Sequence, residues 1–304
     1  MTTSGPIIGT VETVIRYPVK SMLGETLDAG TRIGGRGLTG DRIYALVDAT
    51  DRLVASAKNP RKWGRLLTCH AALVDEPTAE QSSPMPAARI TLSDGTITRS
   101  DDDAVDDVLS RELGRPVRLI GQPPAEAHYE DVWPDVDGVA PAEFIAQTRV
   151  TTDDPSETTS RFKLALAAPP GTFFDVAPVH LLTTASLQRA GQLYESGRFA
   201  VARFRPNLVI RTPPGAVDFL ENEWVSRRLR IGDRVVLQVT LRVPRCVMTT
   251  LPQGDLPSDL GILRTLANHN RVEFGRLGRW ACLGVYGSVV QPGVVRPGDS
   301  VVLE

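Results

Sequence analysis

The sequence predicts a mainly β protein with some α-helix, arranged in two domains. Most of its apolar residues alternate with polar ones over short stretches, which is the pattern of half-buried strands. Turn residues such as Asp-Gly and Pro-Gly separate these stretches at short intervals. The length of 304 residues, 41% of them hydrophobic, is enough for a substantial core and favours two domains over one.

Strands dominate the first part of the chain. The segment GTVETVIRYPV alternates apolar and polar residues, and the segments RIYALVD and RLVASA flank a turn at Ala49 and Thr50. The segment RITLSDGTITR predicts a hairpin whose turn is Asp94-Gly95. One helix is predicted over 101–113, because its opening aspartates suit a helix N-terminus and apolar residues four apart share a face.

The character of the chain changes from about 121 to 170, where proline, aspartate and threonine are frequent and periodicity is weak. We place the domain junction there. The predicted division is a first domain over 1–125, a variable junction over 126–170 and a second domain over 171–304.

The second domain is also predicted to be mainly β. A strand-to-helix unit, VHLLTTASLQRAGQLYES, is followed by the strand NLVIRT. The segments RIGDRVVLQV and RPGDSVVLE both place Gly-Asp before an alternating strand, a turn that recurs in barrels, and we prefer this interpretation to an internal repeat. The segment LPSDLGILRTLANHN predicts a helix capped by Ser258 or Asp259.

The charge balance excludes several function classes. A net charge of -2 with a pI near 6.1 argues against a general nucleic-acid surface or an anionic-membrane surface, because both need a sustained excess of Lys and Arg. No stretch resembles a signal peptide or a membrane span, so we expect a cytoplasmic protein with no nucleic-acid or membrane partner. Only four of the 34 basic residues are lysines, which makes each lysine conspicuous.

The three cysteines differ in their surroundings. Cys69 and Cys282 lie in apolar strand patterns and are interpreted as buried, inert thiols. Cys246 ends a predicted strand directly after Pro244 and Arg245, where a neighbouring guanidinium would favour the thiolate that attacks electrophiles or binds a soft metal. Spacing alone leaves an ordinary structural cysteine open for this position. The number of cysteines is too small for a four-cysteine iron-sulfur cluster.

Six motifs in collinear order carry a family resemblance. They are YPVKS, GLTGDRIYALVD, FFDVAPVHLLTTASL, RFRPNLVI, PRCVMTT and GVYGSVVQPGVVRPGDSVVL. Through these motifs the chain resembles MOSC-domain proteins with the MOSC N-terminal β-barrel domain, a group that includes the mitochondrial amidoxime reducing component and its bacterial relatives. The resemblance implies an N-terminal β-barrel-like domain followed by a MOSC β-barrel domain with peripheral helices.

The resemblance also implies a cofactor, the molybdenum cofactor (Mo-molybdopterin), with Cys246 as the protein's metal ligand and catalytic residue. We expect no iron-sulfur cluster, haem or flavin in this chain. Arginine forks, a lysine and hydroxyl groups are suitable donors for the phosphate and pterin of such a cofactor. The positions that match cofactor-binding residues of the family are Lys20, Ser21, Arg42, Thr184, Ser186, Arg205, Asn207, Arg245 and Tyr286.

Three further polar residues in the matched motifs are not assigned to the cofactor. We interpret His180 as a satisfied core histidine, while Asp41 and Asp175 fit turn roles as well as chemistry. Two departures from the family concern the neighbourhood of Cys246. Pro244 stands where the family has a polar residue, and the following loop reads TTLPQGDLPSDLG instead of an acidic proline-glycine turn, which affects the expected substrate specificity.

The function that the resemblance implies is reduction of N-hydroxylated compounds such as amidoximes, hydroxylamines and N-hydroxylated bases. Its partners would be a small N-oxygenated substrate and a separate electron donor, namely a flavin reductase, a ferredoxin or a cytochrome-type protein. A carrier that holds the molybdenum cofactor or its sulfur without turnover remains the alternative. A metal-free thiol enzyme would need a positioned base, and no such base is evident near Cys246.

Overall fold

The computed structural model of this chain describes residues 5–77, 86–152, 154, 156–165, 168–169, 171–274 and 276–304. Within them the chain is mostly β with a few helices, so the predicted fold class is confirmed. The strands up to the junction are β1 (Ile7–Arg16), β2 (Glu25–Thr26), β3 (Thr31–Gly34), β4 (Gly37–Leu38), β5 (Ala45–Asp48), β6 (His70–Leu73), β7 (Ala88–Thr91), β8 (Ile97–Arg99) and β9 (Val117–Ile120). The later strands are β10 (His128–Trp133), β11 (Arg149–Val150), β12 (Thr158–Lys163), β13 (Val179–Thr183), β14 (Leu208–Arg211), β15 (Arg228–Ile231), β16 (Val235–Pro244), β17 (Arg271–Glu273), β18 (Arg279–Gln291), β19 (Gly293–Val295) and β20 (Ser300–Leu303).

Within the described residues, six α-helices lie between these strands. Short 3-10 helices add Gly64–Thr68, Leu220–Trp224 and Val247–Thr250. None of the helices in the described parts of the chain has the length and apolar character needed to cross a bilayer. The α-helices are α1 (Pro60–Trp63), α2 (Val105–Leu113), α3 (Ala142–Thr148), α4 (Thr184–Leu193), α5 (Val201–Phe204) and α6 (Gly261–His269).

Seven strands close into a β-barrel in the order β13, β14, β1, β20, β15, β16 and β18, and β18 pairs back onto β13. Strands β13 and β14 are parallel, whereas the other pairs are antiparallel. Apolar side chains that alternate along the strands fill the interior, and Val14, Leu181, Leu237 and Val285 are among those with no exposed surface. This burial of alternate apolar residues is what stabilises a closed sheet.

The first strand of the chain belongs to this barrel. Thr10 pairs with Arg211 on β14, and Ile7 pairs with Val302 on β20. The predicted boundary at residue 125 assigns β1 to the first domain. In the structure, however, β1 lies between β14 and β20, so the barrel sheet contains strands from both sides of this boundary. The division into 1–125, 126–170 and 171–304 stays a prediction.

The rest of the N-terminal part forms small sheets around a second core. Strands β5 and β9 pair, and β6, β7 and β8 form a three-stranded sheet. The predicted hairpin is present, because Thr91 pairs with Ile97 around a turn in which Gly95 has a φ of 88°. Leu46, Leu66 and Leu109 are fully buried between these elements.

Two predicted helices are present with shorter bounds. Helix α2 begins at Val105 after Ala104, and two aspartates lie in its first turn as expected from the helix dipole. Helix α6 begins at Gly261 after Leu260, so neither Ser258 nor Asp259 is its cap residue. The carboxylate of Asp259 still accepts a hydrogen bond from the backbone N–H of Gly261, at 2.8 Å. It thereby pairs one of the N–H groups at the helix N-terminus that have no partner within the helix.

The junction is more regular than its composition predicts. Strands β10, β12 and β11 form an antiparallel sheet, and helix α3 lies beside it. Trp133 on β10 and Phe144 on α3 both contact the ring of Trp280 on β18, at centroid distances of 5.9 and 4.8 Å. These aromatic contacts join the junction sheet to the barrel.

Candidate functional site

A cleft lies where side chains of the N-terminal part meet those of the barrel. The structure brings most of the predicted site residues to this one place and leaves two of them elsewhere. The predicted residues that line the cleft are Lys20, Ser21, Arg42, Arg205, Asn207, Arg245, Cys246 and Tyr286.

Thr184 and Ser186 lie outside this lining, so the structure does not place them at the predicted cofactor site. They begin helix α4, where Thr183 accepts the backbone N–H of Ser186 at 3.1 Å. The Ser186 hydroxyl donates to the buried carboxyl group of Glu221 at 2.6 Å. Both residues therefore belong to the first turn of helix α4, and the residues from the same motif that do line the cleft precede this helix, namely Phe174, Asp175, Val176, Ala177 and His180.

Three of the lining residues have an unusual backbone. Ser21, Arg42 and Arg205 have φ values of 66°, 49° and 55°, in the left-handed region that side chains other than glycine seldom adopt. Such conformations cost free energy and are retained where surrounding contacts fix them. Arg42 is held by a hydrogen bond from its N–H to Tyr17 O at 2.8 Å, and Arg205 ends helix α5. The cleft therefore contains three strained backbone positions, each at a residue predicted to bind the cofactor.

Three guanidinium groups, those of Arg42, Arg205 and Arg245, form what we call the arginine group. Arg205 donates to the carbonyl oxygen of Met22 at 2.7 Å, and its guanidinium lies 4.2 Å from the ring centroid of Tyr17. The guanidinium of Arg42 lies 4.9 Å from the centroid of the same ring and forms an ion pair with Asp41. Stacking on Tyr17 holds both arginines without consuming all of their hydrogen-bond donors.

Arg245 completes the arginine group from the strand side. Its two terminal nitrogens donate to the carbonyl oxygens of Leu283 and Phe204, at 3.3 and 2.9 Å. Its Nε is buried and has no partner within the described parts of the chain. No ion pair in those parts joins Arg205 or Arg245 to a carboxylate, and burial lowers the pKa of Arg205 to about 10. Cationic donors with so few acidic partners are suited to an anionic ligand.

Two lysines and two aspartates form a second group, which we call the lysine–aspartate group. Lys20 pairs with Asp175 and donates to Phe173 O at 3.1 Å. Lys58 lies 3.2 Å from Asp175 Oδ2 and 3.3 Å from Asp131 Oδ2. Although burial alone would raise the pKa of Asp175, the two ammonium groups lower it well below its usual value. Positive and negative charges therefore balance within this group.

Cys246 lies between the two groups. It follows β16, precedes the 3-10 helix Val247–Thr250, and packs against Ala57 and Leu67 of the N-terminal part. Burial raises the pKa of its thiol, and the charges of Lys58 and Arg245 oppose that rise only in part. Arg245 favours the thiolate as expected, but burial has the larger effect on the pKa of the thiol. The terminal nitrogens of this guanidinium donate to backbone carbonyls.

The other two cysteines are inert as predicted. Cys69 and Cys282 are fully buried, and burial raises the pKa of their thiols to about 11 and about 12. Across the described ranges, no set of three or more His, Cys, Asp or Glu side chains is grouped as a metal site. Cys246 is thus the half-buried cysteine of the cleft.

Asn207 and Ser21 differ in what they can offer a ligand. The side-chain amide of Asn207 donates to Asp41 at 3.0 Å and accepts the backbone N–H of His180 at 3.1 Å, so it mainly joins β13 to the N-terminal part. The Ser21 oxygen accepts the backbone N–H of Ala57 at 3.1 Å, and its own hydrogen can be donated into the cleft. Tyr286, half-buried, contributes a ring 5.8 Å from that of His180.

The sequence interpretation missed several residues of the cleft. Asp175 forms ion pairs with two lysines, and the second of these, Lys58, was not predicted as a site residue. The scarcity of lysine in this chain is the signal that could have identified Lys58. His180 is buried as predicted, but its Nε2 has no partner within the described part of the chain, so it is not a fully satisfied core histidine.

Comparisons with known proteins agree with the resemblance in the second part of the chain. The sequence profile of the MOSC domain family matches residues 169–302. A search of curated proteins found no match. The crystal structure of YiiM from Geobacillus stearothermophilus is similar over 42% of this chain and 54% of its own, with 19% identity and a TM-score of 0.27. A structure described as a hypothetical protein is similar over 44% of this chain and 55% of its own, with 13% identity and a TM-score of 0.30.

This chain therefore spans about half the length of the solved structures that it matches. The family match includes the strand that leads to Cys246, the arginines 205 and 245, and Tyr286. MOSC domains commonly bind the molybdenum cofactor. Residues 169–302 of this chain are therefore similar in sequence to the MOSC domain family.

Proposed function

We propose that this protein binds the molybdenum cofactor in the cleft and reduces N-hydroxylated compounds with electrons from a separate protein. The observation that carries the proposal is the position of Cys246 beside an arginine group with few acidic partners. The anionic phosphate of such a cofactor would meet unpaired guanidinium donors, and its metal would meet the half-buried thiol.

The donor set of the cleft fits this group. Arg42, Arg205 and Arg245 would hold the phosphate and the polar pterin edge, the unpartnered Nε of Arg245 being one free donor. Ser21 would add a hydroxyl donor from the N-terminal part. The contacts that hold Ser21, Arg42 and Arg205 in their left-handed backbone conformations also fix these donors before the ligand arrives, which reduces the entropy lost on binding.

The bound cofactor would supply a metal that exchanges two electrons with the substrate. Conversion of a hydroxylamine, R–NHOH, to an amine and water consumes two electrons and two protons. The part of this chain is to bind and orient the substrate next to Cys246 and to limit the access of water. Three cysteines cannot hold a four-cysteine cluster, so we propose that a flavin reductase, a ferredoxin or a cytochrome-type protein delivers the electrons.

The proposal is tested with protein produced in cells that make the cofactor. Wild-type protein should contain molybdenum and pterin near one per chain and should reduce an amidoxime with a low-potential dye as the artificial electron donor. Cys246→Ala should abolish that reduction. Cys69→Ala and Cys282→Ala are the matched controls, since both cysteines are buried away from the cleft.

Two outcomes would contradict the proposal. Full activity in Cys246→Ala would exclude this cysteine as the metal ligand. If wild-type protein holds the cofactor, reduces none of a panel of amidoximes, hydroxylamines and N-oxides, and transfers the cofactor to an apo-acceptor, the carrier function is correct instead.

A further inference from the structure

The junction contributes two side chains that contact Lys58, a lysine in the lining of the cleft. Strand β10 alternates its side chains between its two faces. Tyr129 and Asp131 lie on one face and contact Lys58, whereas Glu130 lies on the other face and contacts Lys62 and Asn59. A segment that the family motifs do not cover therefore determines the position of a cleft lysine.

Lys58 is held from three directions. Its ammonium donates to Tyr129 Oη at 3.3 Å, lies 4.8 Å from the centroid of the same ring, and forms ion pairs with Asp131 and Asp175. Its side chain is only 14% exposed, and that exposed part lines the cleft together with Cys246. An ammonium fixed in this way has a defined direction, unlike a surface lysine.

The partners of Lys58 differ from those of the arginines. Arg205 and Arg245 are held by backbone carbonyls and aromatic rings, so their charges are available to an anion. The charges of Lys20 and Lys58 are balanced by Asp175 and Asp131. The lysine–aspartate group is therefore nearly neutral overall, and its Lys20, Lys58 and Asp175 line the cleft.

Asp131 is the unusual member of the group. Both the residue and its carboxylate are buried, and its Oδ1 has no hydrogen-bond partner within the described residues. Burial raises the pKa of Asp131 to about 6, with Lys58 opposing the rise and Asp175 adding to it. A carboxylate that is this poorly satisfied is costly to keep, so its charge has a function that an amide or an apolar residue would not fulfil.

We propose that Lys58 is a substrate-binding residue that donates a hydrogen bond to the oxygen of an N-oxygenated substrate beside Cys246, and that Asp131 cancels its charge so that uncharged substrates are preferred to anions. This inference rests on the proposed function for the identity of the substrate. It assigns the variable junction a part in selecting that substrate, through a positioning residue on β10.

The first experiment measures binding to cofactor-loaded protein by calorimetry at about pH 7.5, where Asp131 is ionised. The probes are N,N-dimethylaniline N-oxide and N,N-dimethylaniline, which differ only in the oxygen. Lys58→Met should weaken binding of the N-oxide on the order of tenfold, as expected for a hydrogen bond to a charged group, and should leave binding of the amine unchanged. Lys62→Met is the matched control, because Lys62 forms the same kind of ion pair with Glu130 on the opposite face of β10.

The second experiment measures charge selectivity. Benzamidoxime and 4-carboxybenzamidoxime are compared in the same preparation, so the fraction of folded, cofactor-loaded protein cancels from the ratio of their binding constants and of their kcat/KM values. Asp131→Asn should shift both ratios towards the anion on the order of tenfold, because Asp175 is then the one carboxylate shared by Lys20 and Lys58 and the group keeps a net positive charge. Glu130→Gln is the control and should leave both ratios unchanged.

The outcomes separate this inference from the proposed function. If Lys58→Met weakens the N-oxide and the amine equally, or if Asp131→Asn leaves the ratios unchanged, the inference is wrong even when the probes are reduced. If binding depends on Lys58 as stated and no probe is reduced, the inference stands and the proposed activity fails. If the N-oxide does not bind to the wild-type protein, Lys58 is a structural residue only.

Discussion

The two charged groups of the cleft obtain their stability in different ways. The arginine group is held by backbone carbonyls and by the ring of Tyr17, with Asp41 as the carboxylate partner of Arg42. The lysine–aspartate group is held by mutual ion pairs. Carbonyls and rings fix a cation without cancelling its charge, whereas carboxylates cancel it. The comparison predicts that an anion binds to the first group and a neutral molecule to the second.

The largest expected effect concerns the arginine group. Arg42→Glu and Arg205→Glu should each lower the pterin and molybdenum content on the order of tenfold or more. The new carboxylate would repel the phosphate, and the N–H donors of the guanidinium would be lost. Content is measured by elemental analysis and by pterin fluorescence after oxidative release, in protein shown to be folded by circular dichroism. Arg99→Glu, in an exposed surface pair with Asp101, is the matched control. Normal cofactor content in both cleft variants would place the anion site elsewhere.

The next effect concerns the stability of the lysine–aspartate group. Asp175→Asn leaves two buried ammonium groups without their shared carboxylate and should lower the free energy of unfolding by roughly 2 kcal/mol near neutral pH. The folded-state pKa of Asp175 lies below its unfolded value, so its contribution is complete above about pH 4 and is lost as the pH falls further.

Urea denaturation of wild type and Asp175→Asn across the acidic range checks this sign. The difference in stability between the two proteins should be largest near neutral pH and should narrow below about pH 4. Asp255→Asn, which removes a carboxylate from an exposed pair with Arg198, is the control and should show little difference at any pH. A gap that widens in acid would mean that Asp175 does not serve as the shared counterion.

The sequence predicted the arginine group better than the lysine–aspartate group, for a physical reason. Arg42, Arg205 and Arg245 each stand in a short motif that carries the family resemblance, so the sequence alone could point to them. Lys58 and Asp131 meet only because β10 packs beside the N-terminal part, and neither residue stands in a local motif. Contacts between distant segments leave little trace in a single sequence.

The barrel illustrates the same limit. The alternation of apolar residues predicted strands such as β1 and β16 well, but alternation does not state which strands pair. Strand β1 belongs to the seven-stranded barrel, although its place in the chain suggested the first domain. A motif match also does not reveal that Thr184 and Ser186 lie at the start of helix α4, outside the lining of the cleft.

A smaller effect tests whether Ser186 stabilises the fold or binds the cofactor. Ser186→Ala removes a hydrogen-bond donor from the buried carboxyl group of Glu221 and should lower the free energy of unfolding by about 1–2 kcal/mol. Its cofactor content should equal that of wild type, in contrast to Arg205→Glu. Thermal and urea unfolding together with pterin content check the prediction. Loss of cofactor without loss of stability would return Ser186 to the binding site.

The smallest effects are expected at the two buried cysteines. Cys69→Ala and Cys282→Ala remove one atom each from apolar surroundings and should lower the free energy of unfolding by roughly 1 kcal/mol. Cofactor content and reduction of an amidoxime should stay at wild-type values. A loss of activity in either variant comparable to that in Cys246→Ala would remove the distinction between the cleft cysteine and the other two.

The pairing of the first strand has a consequence for how the protein forms during synthesis. Strand β1 needs β14 and β20 as neighbours, and its pair Ile7–Val302 joins distant parts of the chain. Such non-local pairing slows folding, because a very long loop must close before the contact stabilises it. During synthesis, β1 leaves the exit tunnel long before β14 and β20 and exposes an unpaired edge in the meantime. Lys20 and Ser21 follow β1 closely, so the cleft reaches its final form only after both partner strands have been synthesised.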